Sequence, residues 1–304
     1  MTEFTQHWVD AAGVRLSVLR LGEPTLPPLI MLHGMRDVAW SLMPVARQLS
    51  ERYCVYLPEL RGHGASDQPG WYSIDHFLFD LHQLMATLEI PQADIFGHSL
   101  GGQILARFAA IFPGRVRRAV IVEGLGPPAR PGEDDDASEI AGYGPHLVAT
   151  FEIPQRQRAL PDLEFAATRL LANNPRLDPG LAPELARAAT RAGDDGRLIW
   201  AFDPRVRSVF VGVRRRDSER YWRQVRCPTL IISGALADEY WRGQMGDRLP
   251  GWTGRFASGE LEARVACFGA ARLVEFERSG HMVHYDEPDR LAAVVREFLQ
   301  EERT

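Results

Sequence analysis

The side chain best placed to attack a carbonyl is Ser99, which stands in the string Gly97-His98-Ser99-Leu100-Gly101. A G-x-S-x-G string suits a sharp turn from strand into helix. The serine is lifted into a strained, exposed position, and the flanking glycines avoid clashes that β-carbons would cause. The setting agrees, because the string follows the strand-like run Ala93–Gly97 and opens an apolar helical pattern over Leu100–Phe112. A helix N-terminus also favours negative charge developing beside Ser99. A serine hydroxyl needs a base to become a nucleophile. Among nine histidines, His281 is selected by position: it comes late in the chain, after the predicted strand Ala271–Glu275, with Gly280 freeing its backbone. His284 is three residues further on, and the pair invites a metal-binding reading. No third ligand stands at a telling spacing, so no metal is expected.

A base of this kind is oriented by a carboxylate. Asp238 follows the strand-like run Thr229–Ser233 and is the preferred acid; Glu239, one residue on, and Glu123, at the end of Ala119–Glu123, remain alternatives. Attack on a carbonyl also needs two backbone N–H donors for the oxyanion. Leu100, directly after the nucleophile, would supply one. Met35 would supply the other, since Gly34 lets the chain turn inward after the strand Pro28–His33.

These residues must be carried by a sheet. Short apolar runs at Pro28–His33, Cys54–Pro58, Ala93–Gly97 and Ala119–Glu123 alternate with longer amphipathic ones, which predicts βα units and a mostly parallel sheet flanked by helices. The rhythm breaks at about Gly124, where Gly-Leu-Gly-Pro-Pro-Ala-Arg-Pro-Gly reads as an exposed connection. Helical patterns at Leu160–Asn173 and Ala182–Ala192 follow, and the strand rhythm returns at Cys227. The expected organisation is one α/β core, residues 1–123 and 227–304, interrupted by a helical lid over 124–226. Trp200 and Phe202 are candidates for the lid's substrate-facing side. The basic run Arg214–Arg216 reads as a solvated face paired with Asp217 and Glu219.

Bulk properties restrict the partners. The chain has 304 residues, 45% hydrophobic and 25% charged, with a net charge of −5. That balance argues against general affinity for nucleic acid or anionic membrane. Three widely spaced cysteines show no C-x-x-C pattern, so buried free thiols are expected. No basic segment followed by an apolar run opens the chain, and no apolar stretch approaches the ~20 residues of a membrane span. A cytoplasmic protein acting on a small molecule is expected; the oligomeric state is left open.

The strings HGMRD, LPELRGHGASD, GHSLGG, CPTLIISG and GHMVHYDEPD together resemble the α/β-hydrolase superfamily, in its order, over about residues 13–302. Leu198–Arg207 (LIWAFDPRVR) resembles its serine-hydrolase-like and esterase branch. The resemblance implies an α/β-hydrolase fold with a lid inserted after the sixth strand, and hydrolysis without a cofactor. Serine at the elbow counts against the dehalogenases and epoxide hydrolases of the superfamily, which use aspartate there. Carboxylic ester hydrolysis through Ser99, His281 and Asp238 is therefore expected. Lactone, thioester or carbon–carbon hydrolysis on the same residues, or a non-catalytic small-molecule-binding protein of this fold, are the alternatives. Two departures stand out: Pro58-Glu59-Leu60-Arg61-Gly62 replaces the commoner P-D-x-R-G, and the interval from Asp238 to His281 is long.

Overall fold

The computed structural model describes residues 4–132, 135–153, 157–246, 249 and 251–301. Its framework is an eight-stranded sheet. In chain order the strands are β1 (Thr5–Asp10), β2 (Arg15–Leu21), β3 (Pro28–Leu32), β4 (Cys54–Pro58), β5 (Ala93–His98) and β6 (Val116–Val122); a separate hairpin, β7 (Thr190–Ala192) and β8 (Leu198–Trp200), precedes β9 (Thr229–Gly234) and β10 (Ala271–Phe276). The spatial order is β1-β2-β4-β3-β5-β6-β9-β10. Pairings β1–β2 and β2–β4 are antiparallel, and all others in the main sheet are parallel. The antiparallel edge at β1 and β2 was not anticipated, because its alternating pattern lies outside the βα rhythm.

Strand residues alternate between two buried layers, as a period of two demands. Ile30, Leu32, Ile95, Ile121 and Ile231 face a layer with α2 (Ile74–Thr87) and α3 (Leu100–Ile111). Leu29, Met31, Phe96, Val120, Val122, Leu230 and Ile232 face α1 (Met43–Leu49) and the C-terminal helix Pro288–Gln300. Burial on both faces explains the aliphatic runs of β3, β6 and β9. The sheet's carboxyl edge thereby receives the loops that follow β3, β5, β6, β9 and β10, where ligands bind in open α/β sheets.

Between β6 and β9 lie α4 (Asp136–Phe151), α5 (Leu163–Asn173), α6 (Ala182–Ala188), a 3₁₀ helix at Pro204–Phe210 and α7 (Arg215–Trp222). The helix expected over Ala182–Ala192 stops at Ala188, and its last residues form β7 of the hairpin with β8. The stretch is therefore not purely helical. Moreover, α7 packs on α3: Trp222 is buried in the α3 layer, and the Arg107 guanidinium donates to Ser218 Oγ at 2.7 Å. Its basic start is paired, Arg215 with Glu219 at 2.6 Å. Cys54 and Cys227 are buried free thiols and Cys267 is a half-buried one. Among the described residues no helix is long and apolar enough to cross a membrane.

Candidate active site

Ser99 occupies the turn between β5 and α3 with φ of +49° and ψ of −111°, a conformation unusual for a residue with a β-carbon. The glycines around it have steric reasons. A β-carbon at Gly97 would stand 2.4 Å from the Gly101 carbonyl oxygen, and one at Gly101 would stand 2.4 Å from that of Leu32. Ser99 is half-buried, so its hydroxyl remains within reach of a ligand.

His281 follows β10 and lies with its Nε2 3.0 Å from Ser99 Oγ. Its Nδ1 lies 2.9 Å from Glu123 Oε2. The structure therefore brings Ser99, His281 and Glu123 into one line, with Glu123, an alternative in the sequence reading, and not the preferred Asp238, at the imidazole. Glu123 directly follows β6, at φ of +53°, beside the strand that carries Ser99. Its other oxygen, Oε1, accepts from Ser233 Oγ at 3.0 Å and from the Gly234 N–H at 2.7 Å. Each carboxylate oxygen thus has a fixed role, one anchored to β9 and one turned to the imidazole.

Asp238 is not at the imidazole's Nδ1. It begins α8 (Asp238–Met245), where an acid suits the positive end of the helix dipole, and its Oδ2 pairs with Arg242 and Arg255, each at 3.0 Å. Glu239 points outward to Arg176 at 2.8 Å. The loop after β9 became a helix start, so the carboxylates there turned toward arginines.

The remaining expected residues separate into two groups. The loop carrying Met35 packs on the elbow, since a β-carbon at Gly34 would lie 2.9 Å from His98 Nδ1 and 3.4 Å from Ser99 Cβ. Leu100 is the first residue of α3, so its N–H has no partner within the helix. Phe202 is half-buried, and its backbone forms an isolated antiparallel bridge with that of His63. Trp200 instead packs among Leu160, Ala166 and Ala186 within the inserted segment's own small core.

Several groups around the site were not foreseen. The Tyr240 ring lies flat on the His281 imidazole, 4.0 Å between centroids and 7° from parallel, with Trp241 edge-on at 5.0 Å. His98 Nε2 lies 2.9 Å from the His281 carbonyl, which fits an Nε2–H donor. Burial, then the positive fields of His284 and His281, push the His98 pKa well below its usual value. The neutral ring thus holds the base's backbone in place. Behind it, one ligand atom each from Asp37, His98 and His284 gather within 4.8 Å of one another. The group contains His284 but not His281, so it is not the pair singled out by spacing. The Asp37 oxygens, however, already accept from Ser41 Oγ at 2.7 Å and Tyr285 Oη at 3.1 Å, and Oδ2 stands 3.5 Å from His284 Nε2. From the inserted segment, Arg176 reaches Asp286 at 3.0 Å as well as Glu239, and so ties that segment to the His281 loop and α8. The signal for Tyr240 was its place two residues after Asp238 in a loop already under scrutiny; no spacing rule marks Arg176.

With this geometry in place, the chain is assigned to the alpha/beta hydrolase family, whose model matches residues 29–294. Over nearly its full length it is similar to the 2-hydroxymuconate semialdehyde hydrolase of Pseudomonas sp. strain CF600, at 28% identity over 96% of this chain and 93% of that one. An uncharacterized protein of Mycobacterium tuberculosis is 36% identical over 101 residues, 33% of this chain and 30% of the relative, so the match spans about a third of each. In fold it is similar to the thioesterase domain from the curacin biosynthetic pathway, with TM-score 0.80, 20% identity and coverage of 97% and 99%. It is also similar to E-2-(acetamidomethylene)succinate hydrolase, with TM-score 0.76, 20% identity and coverage of 98% and 100%.

Proposed function

We propose that this chain is a serine hydrolase that cleaves carboxylic esters through an acyl-enzyme. The observation that carries the reading is the continuous line Ser99 Oγ, His281 and Glu123, at 3.0 and 2.9 Å. In this mechanism His281 Nε2 takes the Ser99 proton as Oγ bonds to the carbonyl carbon, and the tetrahedral oxyanion is held by the N–H groups of Met35 and Leu100. The imidazolium then returns its proton to the leaving alkoxide as the C–O bond breaks. Water, deprotonated by the same imidazole, releases the acid. Glu123 fixes the tautomer that places a lone pair on Nε2 and stabilises the imidazolium between the two transfers.

The inserted segment acts as a lid in this reading. Its Leu177 and Leu185 pack with Val38 and Tyr285, which flank the Met35 loop and the His281 loop. Phe202 lies on the lid's inner side, and Trp200 serves the lid's own packing. A second reading, hydrolysis of a carbon–carbon bond beside a carbonyl, draws on the full-length similarity to a 2-hydroxymuconate semialdehyde hydrolase. The same Ser99, His281 and Glu123 would carry it.

A panel of nitrophenyl acyl esters, thioesters, lactones and a vinylogous 1,5-diketone separates these readings. Esters should give the highest kcat/KM, and Ser99→Ala should lower turnover by about 10⁴-fold or more while leaving the fold intact. Turnover of the diketone alone would move the assignment to carbon–carbon hydrolysis. Ester turnover retained by Ser99→Ala would refute the nucleophile.

A further inference from the structure

Arg36 directly follows Met35 on the loop that packs against the elbow. Its φ of +61° is left-handed, a conformation that costs a non-glycine residue roughly 1–2 kcal/mol. The strain is held by a specific contact, as the Arg36 N–H donates to Nε2 of the buried His63 at 3.0 Å. The backbone is thus fixed in a form that the side chain alone would not choose. That side chain is solvent-accessible, and its guanidinium carbon lies 5.9 Å from the centre of the Phe202 ring.

The charges around it point the same way. Burial lowers the Arg36 pKa first, and the like charge of Arg207, from the 3₁₀ helix Pro204–Phe210, lowers it further. The phenol that interacts with Arg36 is Tyr240, whose ring covers His281. Several other arginines have carboxylates: Arg61 has Asp80, Arg176 has Glu239 and Asp286, and Arg205 has Asp203. Among the described residues, no carboxylate forms an ion pair with Arg36. The neighbouring Asp37 and the site acid Glu123 are engaged elsewhere, Asp37 with Ser41, Tyr285 and His284, and Glu123 with His281 and β9.

We propose that Arg36 forms a subsite for a carboxylate on the acyl portion of the substrate, so that the preferred substrates are monoesters of dicarboxylic acids or their close analogues. This rests on the reading of Ser99 as the acylating nucleophile. A guanidinium lying over an aromatic ring keeps its N–H edge open, and that edge matches a carboxylate bidentately. Because Arg36 adjoins the oxyanion donor Met35, the anion it holds belongs to the same acyl group whose carbonyl meets Ser99. Placing that charge also orients the carbonyl for attack.

The test compares nitrophenyl hydrogen glutarate with nitrophenyl valerate, a neutral ester of similar length. The parent protein should favour the anionic ester by about 10- to 100-fold in kcat/KM, the range of one charge-assisted hydrogen-bonded contact. Arg36→Met should bring the ratio near one, and Arg36→Lys should keep part of it. No preference in the parent, or a preference that survives Arg36→Met, would overturn the proposal. Calorimetric titration with glutarate and glutaramide decides the subsite without any turnover: glutarate alone should bind the parent, and Arg36→Met should lose it. Equal binding of both, or of neither, counts against Arg36. Failure of the nucleophile reading looks different, because Ser99→Ala would then hydrolyse both esters like the parent.

Discussion

Glu123 is the residue on which sequence and structure diverge most usefully. Both it and Asp238 come after a strand at the carboxyl edge, and spacing alone could not orient either side chain. The deciding contacts are long-range: Oε1 of Glu123 is pinned by Ser233 and Gly234, which leaves Oε2 for His281. Glu123→Gln should lower kcat by about 10²–10⁴-fold, because an amide does not stabilise the imidazolium and selects the wrong tautomer. Asp238→Asn should stay within a few-fold of the parent, since its partners are Arg242 and Arg255. Steady-state kinetics well below the melting temperature checks both variants. The opposite ranking would return the acid to Asp238. Ser99 and His281 were legible because their motifs encode local backbone demands, a strained turn and a glycine-freed loop. The acid was less legible because it answers to a neighbouring strand.

At the scale of elements, the parallel strands were readable from doubly buried Val/Ile/Leu runs, and α3 from its apolar periodicity. The hairpin of β7 and β8 was not, because three-residue strands carry too little pattern to compete with the helical signal of Ala182–Ala192. The same segment separates the two aromatics expected on the lid. The Phe202 ring lies by Arg36, while Trp200 fills the inserted segment's own core. Phe202→Ala should therefore change the ranking of acyl chain lengths in kcat/KM by about tenfold or less, with a small loss of stability. Trp200→Ala should lower stability by about 2 kcal/mol through lost packing and leave the ranking alone. A chain-length series, run beside thermal melts, reads both effects. A shift in ranking from Trp200→Ala alone would reverse their roles.

For the molecule as a whole, buried histidines tie stability to pH. His63 is pulled down to about pKa 3, by burial first and then by His33, and His98 falls well below its usual value. Below pH ~6.5 the unfolded chain binds protons at both while the folded one does not, so stability falls as pH drops. His33 acts in the opposite sense: burial would lower its pKa, but Glu59 outweighs this and raises it, so its contribution is full below ~6.5 and is lost as pH rises through the folded value. Between pH 6.5 and 5 the His33 contribution is already full and offsets nothing, so proton uptake by His63 and His98 in the unfolded chain gives a net fall in stability. Urea melts at the two pH values should show it, and equal stability would contradict the assignment of neutral buried rings. Ester cleavage by this chain requires, above all, an activated Ser99. Reaction with a fluorophosphonate probe, followed by peptide mapping, tests that most directly. The expected result is a single adduct on Ser99, formed much more slowly in His281→Ala and Glu123→Gln; an unlabelled Ser99 in folded protein, or labelling indifferent to both substitutions, would contradict it.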